Sequence, residues 1–159
     1  MNQASIKIRE ASPDDMSFIK KHIYKFRLDD EDIDHRQFVV AVDWDEIVGF
    51  GRIRPHKEVY ELGCVGVVEQ RRNQDIGKMI VEHLINIFPS DDVYITTDLT
   101  DYFERLGFRG IEQGPKELEE KLEPKRERLI ELNKRLTQKI QQEILESSID
   151  VAKNVGIDV

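Results

Sequence analysis

The glycines divide this chain. Eight of the nine fall within residues 1–114, and from Lys125 to Val155 there is neither glycine nor proline. These residues punctuate chains that reverse often. The first part is therefore expected to consist of short, frequently turning elements, and the second to have the character of a long exposed helix. Charge divides in the same place. Residues 115–159 hold nine Lys+Arg and ten Asp+Glu, whereas the first 114 carry a net charge of −7. The expected organisation is one domain over 1–114 and a helical C-terminal extension over 115–159.

The whole chain of 159 residues, with a net charge of −8, argues against a nucleic-acid partner, because neutralising phosphates needs a basic face. No stretch approaches the ~20 apolar residues of a membrane span, and the N-terminus lacks the apolar core of a signal peptide. A single cysteine, Cys64, excludes a disulfide scaffold and fits a cytoplasmic location. The four histidines show no metal-ligand spacing, so no metal is expected.

Local patterns give the element order. Ile6–Arg9 alternates as a strand. Ser12-Pro13-Asp14-Asp15 starts a helix, with a capping serine, proline at the first helical position and acids in the first turn. Phe18, Ile19, His22, Ile23 and Phe26 then recur at helical spacing. Asp29–Asp34 is an acidic loop. Phe38–Val42, Ile47–Ile53 and Val59–Val68 are strands separated by turns. Lys78–Phe88 is a helix, Val93–Thr96 a strand, Asp98–Leu106 a short helix, and a strand lies near Phe108–Ile111. Strands and helices mixed around one sheet predict an α/β or α+β fold, a mixed central sheet flanked by helices.

The stretch from Val65 to Lys78 runs from an apolar strand through a polar loop into a helix. Such an N-terminus gathers unpaired N–H groups and the positive end of the helix dipole, which suits a phosphate or pyrophosphate. Arg72 and Lys78 add charge at either end. Arg72-Asn73-Gln74-Asp75-Ile76-Gly77 resembles the acetyl-CoA pyrophosphate loop of the GNAT superfamily of N-acetyltransferases, whose pattern is Q/R-x-x-G-x-G/A. Asp75 stands where the family has its first glycine. Tyr102-Phe103-Glu104-Arg105-Leu106-Gly107-Phe108 resembles the family's late motif. The opening Ile8-Arg9-Glu10-Ala11 with Asp15 also fits. The likeness covers about residues 5–113. The segment Gly49–His56 further resembles small bacterial members related to amino-acid acetyltransferases.

The resemblance implies direct acetyl transfer from acetyl-CoA, as co-substrate, to a small-molecule or peptide amine. A protonated amine cannot attack, so something must take its proton. In one branch of the family this is a strand glutamate eleven residues before the loop motif, which here is Glu61. The backbone N–H of Val65 is implied as the donor to the thioester oxygen. Val65 and Val67 would hold pantetheine, with Gly66 allowing its close approach. Arg72, Asn73, Gln74, Asp75, Ile76, Gly77 and Lys78 would bind the pyrophosphate. The family's general-acid tyrosine aligns with Phe103; the neighbouring Tyr102 is the candidate hydroxyl, with packing as its alternative role. Asp75 and Phe103 support the rival reading, a non-catalytic CoA-binding module acting through its tail.

Three features have plainer readings. Cys64 reads as a small buried hydrophobe. His56 reads as a solvated turn residue, with lining of the acceptor site as the alternative. The Asp29–Asp34 acids read as a solvated run, with attraction of a cationic amine as the alternative. In the tail, Leu129, Leu132, Leu136, Ile140 and Ile144 form one apolar stripe at helical spacing. Such a stripe would pack on its own domain, bind another protein or pair with a second copy in a homodimer.

Overall fold

The computed structural model describes residues 5–122 and 128–135. Strand β1 (Ile6–Glu10) is followed by helix α1 (Met16–Phe26), which enters through a 3-10 turn at Pro13–Asp15. Strands β2 (Phe38–Asp43), β3 (Glu46–Pro55) and β4 (Tyr60–Val67) form a meander. Helix α2 (Ile76–Ile87) leads to β5 (Asp92–Thr97), α3 (Thr100–Glu104) and β6 (Arg109–Gly110). A short α4 (Lys116–Lys121) and a strand β7 (Arg128–Asn133) follow. The result is an α+β fold, as the element order predicts.

Among the described residues the strands form two sections, β1-β2-β3-β4 and β5-β7-β6, with antiparallel pairing throughout. Strand β4 packs beside β5 without joining its ladder, so the sheet opens between them.

The alternation of β3 sets its two faces. Gly49 and Gly51 face α2. A Cβ on Gly51 would lie 2.6 Å from Ile80 Cγ2 and 2.7 Å from Leu84 Cδ1, so the missing side chain lets the helix press onto the strand. This packing builds a core with Leu62, Ile76, Ile80, Leu84, Val93 and Ile130. On the opposite face Phe50 joins Ile19, Ile23, Phe38 and Val40 under α1. Arg52 and Arg54 continue that second face toward the opening.

One expectation is corrected here. Arg128–Asn133 is not part of a long helix but a strand, paired with β5 on one side and β6 on the other. Leu129, Ile130 and Leu132 are all buried. A short apolar run fits helix or strand by periodicity alone, and here pairing on both edges decides. The residues after 114 thus contribute to the sheet. Leu136, Ile140 and Ile144 lie outside the described residues, as does most of the stripe on which the homodimer expectation rested.

The helix entry is pinned electrostatically. The Arg9 guanidinium donates to the Asp15 carboxylate at 2.7 and 3.2 Å, and the Ser12 backbone N–H donates to it at 2.7 Å. The Arg9 bond, followed by those from Ser12, holds the Asp15 carboxyl down at about 2. A depressed folded-state pKa contributes stability above the ordinary carboxylate range and loses it as pH falls through the folded value. Arg9 is half exposed, which screens the pair. Asp15→Asn is expected to cost about 1 kcal/mol at pH 7. That cost should shrink below pH ~4 and vanish near pH 2, as read by urea unfolding across this range.

Candidate functional site

Where β4 leaves β5, a cavity of about 560 Å³ opens, lined among others by Arg54, Glu61, Cys64, Val65, Thr96 and Phe103. It is floored by β4, walled by β5 and roofed by the loop after α1. The sequence creates the opening with a bulge. Phe50 pairs with Gly66 and Arg52 with Gly63, so Gly51 alone faces both Cys64 and Val65. Cys64 takes the left-handed conformation there, with φ 47. Bulges of this kind bend a strand and re-aim its groups.

Glu61 is 4% exposed. His56 Nε2 lies 2.8 Å from Oε1, and the Thr96 hydroxyl donates to Oε2 at 2.7 Å. Arg54, its register partner on β3, shares the face and is drawn to it electrostatically. A carboxylate in an apolar strand is thus made tolerable by partners on both oxygens. It opens toward the cavity, where it can accept a proton from a bound molecule.

His56 lies behind Glu61, outside the cavity lining. With 11% of its side chain exposed it is not a solvated turn residue, which corrects that reading. The contact was not read from the sequence; the signal for it is a His and a Glu flanking one hairpin turn.

One residue of the acidic run, Asp29, is reassigned. Asp29 accepts from Arg54 at 2.7 Å and Glu31 at 3.2 Å, while Arg52, almost wholly buried, donates to the backbone carbonyls of Glu31 and Asp32. Asp29 is therefore part of an internal charge network that seats the loop over the cavity, while Asp30, Glu31 and Asp32 remain exposed, as a solvated run would be. Arg52 and Arg54 are two functional residues the sequence reading missed. Their signal is alternation on β3, which puts two guanidinium groups on one face. Cys64 Sγ donates to the Asp29 carbonyl at 3.1 Å, and burial pushes its thiol up, away from nucleophilic character.

The loop into α2 reaches its helix through two left-handed residues, Asn73 at φ 62 and Asp75 at φ 63. Asp75 takes the backbone shape that a glycine takes most readily, and its side chain does not cap the helix. The first-turn N–H groups thus stay open to an anion. Lys78 leans along α2 toward Glu82 at 3.9 Å. Arg72 folds back, its Nε donating to the Val67 carbonyl at 3.1 Å and its guanidinium over the Phe26 ring. It must turn outward to meet a phosphate. Gly66 packs against Phe50 and Phe26, where a Cβ would come within 2.7 Å of Phe50 Cζ.

Tyr102 does not reach the cavity. Its hydroxyl lies at the α2 N-terminus, 3.5 Å from where a Gly77 Cβ would be, while Phe103 turns inward onto the cavity wall. Adjacent helical positions point about 100° apart, and this separates the two rings. Burial, with Asp75 and Glu82 nearby, raises the Tyr102 pKa, so it stays a neutral phenol able to donate.

A GNAT acetyltransferase domain model matches residues 34–110. No curated protein matches the chain in sequence. Among solved structures it is similar to N-acetylglutamate synthase from Neisseria gonorrhoeae, complexed with coenzyme A and N-acetyl-glutamate, with TM-score 0.70 and 14% identity over 83% of this chain. This chain spans only 36% of that one. It is also similar to a GNAT-family acetyltransferase from Staphylococcus aureus, with TM-score 0.59 and 21% identity over 81% of this chain and 99% of that one. A third likeness is to PaiA N-acetyltransferase from Thermoplasma acidophilum in complex with coenzyme A, with TM-score 0.57 and 15% identity over 81% of this chain and 99% of that one. At these identities the likeness speaks to the fold.

Proposed function

We propose that this chain, whose residues 34–110 match a GNAT acetyltransferase domain model, moves an acetyl group from acetyl-CoA directly to a primary amine in a ternary complex. The observation that carries this reading is the placement of Glu61. It is a buried carboxylate, partnered on both oxygens, facing a cavity at the split between β4 and β5.

Support for the coenzyme comes from the loop itself. Open N–H groups at α2, the uncapped Asp75 turn, the Tyr102 hydroxyl and the side-chain-free surface of Gly77 form a cradle for a diphosphate. Bound acetyl-CoA supplies the activated acyl group. Residues Arg72, Asn73, Gln74, Asp75, Ile76, Gly77 and Lys78 are proposed to hold its pyrophosphate, and the backbones of Val65 and Val67, beside Gly66, its pantetheine. The Val65 N–H, turned by the bulge, is proposed to steady negative charge on the carbonyl oxygen. Glu61 takes the amine proton. Tyr102 is assigned to the phosphate end rather than to the leaving thiolate.

Isothermal titration with acetyl-CoA tests the premise, and absence of binding at millimolar concentration would end it. A second reading, a coenzyme-binding module without turnover, is favoured by Asp75, by Phe103 and by Arg72 folded onto Val67. Coenzyme affinity without transfer to any of a broad amine panel would establish that alternative.

Asp75 gives a sharper test. Its carboxylate meets the diphosphate with like charge, and a glycine adopts the same backbone shape without a side chain. Asp75→Gly is expected to tighten coenzyme binding by about 3–10-fold at low ionic strength, with the gain shrinking as salt rises. Titrations at two salt concentrations measure it.

A further inference from the structure

Beyond the residues matched by the family model, α4 sends one side chain back to the β3–β4 turn. The Glu117 carboxylate accepts the backbone N–H groups of Lys57 and Glu58 at 2.9 and 3.0 Å. These are donors of the β3–β4 turn, which is closed by the His56 N–H donating to the Val59 carbonyl at 2.8 Å. Glu117 therefore clamps the turn that carries His56. Its Oε2 stands 3.9 Å from His56 Nδ1, while His56 Nε2 stands 2.8 Å from Glu61 Oε1. The imidazole lies between two carboxylates, one on the cavity floor and one at the outer surface. Only 11% of its side chain is exposed.

We propose that His56 and Glu117 are positioning residues for Glu61. The inference rests on the acetyl-transfer reading above. A proton bound to Nε2 is donated to Glu61 Oε1, and the Thr96 hydroxyl is donated to Oε2. Together these two bonds hold the carboxylate in place on the cavity lining. Thr96 comes from β5, so the carboxylate is held from both sides of the opening. Glu117 acts one step further out. By holding the Lys57–Glu58 backbone it fixes where the ring stands, and its charge near Nδ1 restricts how the ring can turn. Arg54 lies on the cavity side of Glu61 and cannot replace the imidazole, because its guanidinium is engaged by Asp29 and Glu31. A displacement of about 1 Å in a reacting group can cost up to about a hundredfold in rate, so an indirect clamp has a measurable effect.

The test pairs a spectroscopic readout with a kinetic one, on the full chain. Nitrogen-15 NMR of the imidazoles is expected to show His56 protonated on Nε2, with a slowly exchanging, low-field ring proton. Glu61→Gln and Glu117→Ala should each weaken that signal. Kinetics follow free thiol released from acetyl-CoA with a panel of primary amines. His56→Ala should lower kcat by about 10–100-fold with little change in the KM for acetyl-CoA. His56→Gln, which keeps an N–H donor, should recover part of the loss. Glu117→Ala should lower kcat less, and should add nothing in the His56→Ala background. Thermal melts of each variant separate these effects from unfolding. A His56 ring proton unchanged by Glu117→Ala would overturn the clamp. Full kcat in His56→Ala alongside a disabled Glu61→Gln would overturn the positioning role while leaving the proposed function standing. No transfer by the unaltered chain to any amine would overturn the proposed function, and this inference with it.

Discussion

Glu61→Gln is expected to lower kcat by about 10²–10⁴-fold, the usual contribution of a positioned general base. The substitution is chosen because it preserves shape. The glutamine oxygen can still accept one of the two donors that His56 and Thr96 direct at the carboxylate, and the amide N–H₂ can bond the other partner's acceptor atom. Folding and coenzyme affinity should therefore stay near those of the unaltered chain, and the deficit should fall on the chemical step. What disappears is the ability to take the ammonium proton. The loss should be partly relieved as pH rises, because more of the amine then arrives already neutral. Initial rates with saturating acetyl-CoA at several pH values separate these effects. An unaltered rate would remove Glu61 from the mechanism, and a large fall in coenzyme affinity would recast it as a binding residue.

How much of this was legible from residues alone varied by element. Strands β2 to β4 declared themselves through β-branched runs between turns, and α1 and α2 through their spacing. Asp75 was readable as a non-glycine residue in a glycine position, and its left-handed φ agrees. Glu61 was reached by counting along a resembling motif; its partners were not. The bond from His56 crosses a hairpin, and that from Thr96 crosses the gap between two sheet sections. Such contacts depend on register and on where the sheet opens, which no local pattern encodes. The same holds for the pairing of Asp29 and Glu31 with Arg54. Asp29 looks like one more solvated acid of its run until a strand more than twenty residues later turns a guanidinium toward it. Tyr102 and Phe103 differ in kind. The angle between neighbouring helical positions already implied that only one could face the cavity, and the structure puts Phe103 there.

The tail was misread for a physical reason, and Ile130 is the residue that tells the two readings apart. In the helical reading the apolar stripe runs through Leu129, Leu132 and Leu136. Ile130 lies off it, among charged neighbours, so a polar substitution there should cost almost nothing. In the fold described, Ile130 is the centre of an interior strand. It pairs with Ile95 on one side and Gly110 on the other, is 1% exposed, and joins the core under α2. Ile130→Asp then removes an apolar side chain worth roughly 1.5–3 kcal/mol of burial. It also places an unpaired carboxylate in the same space, at a further cost of several kcal/mol. Total stabilities of single domains are typically about 5–15 kcal/mol, so the variant is expected to be largely unfolded at 37 °C. Loss of near-ultraviolet circular dichroism and of a cooperative melt would report it. Glu131→Gln, one residue on and turned to the opposite face of β7 beside Arg109, keeps its shape and a hydrogen-bonding oxygen and should still give a cooperative melt. An Ile130→Asp protein with an unchanged melt would return these residues to a surface helix and remove β7 from between β5 and β6.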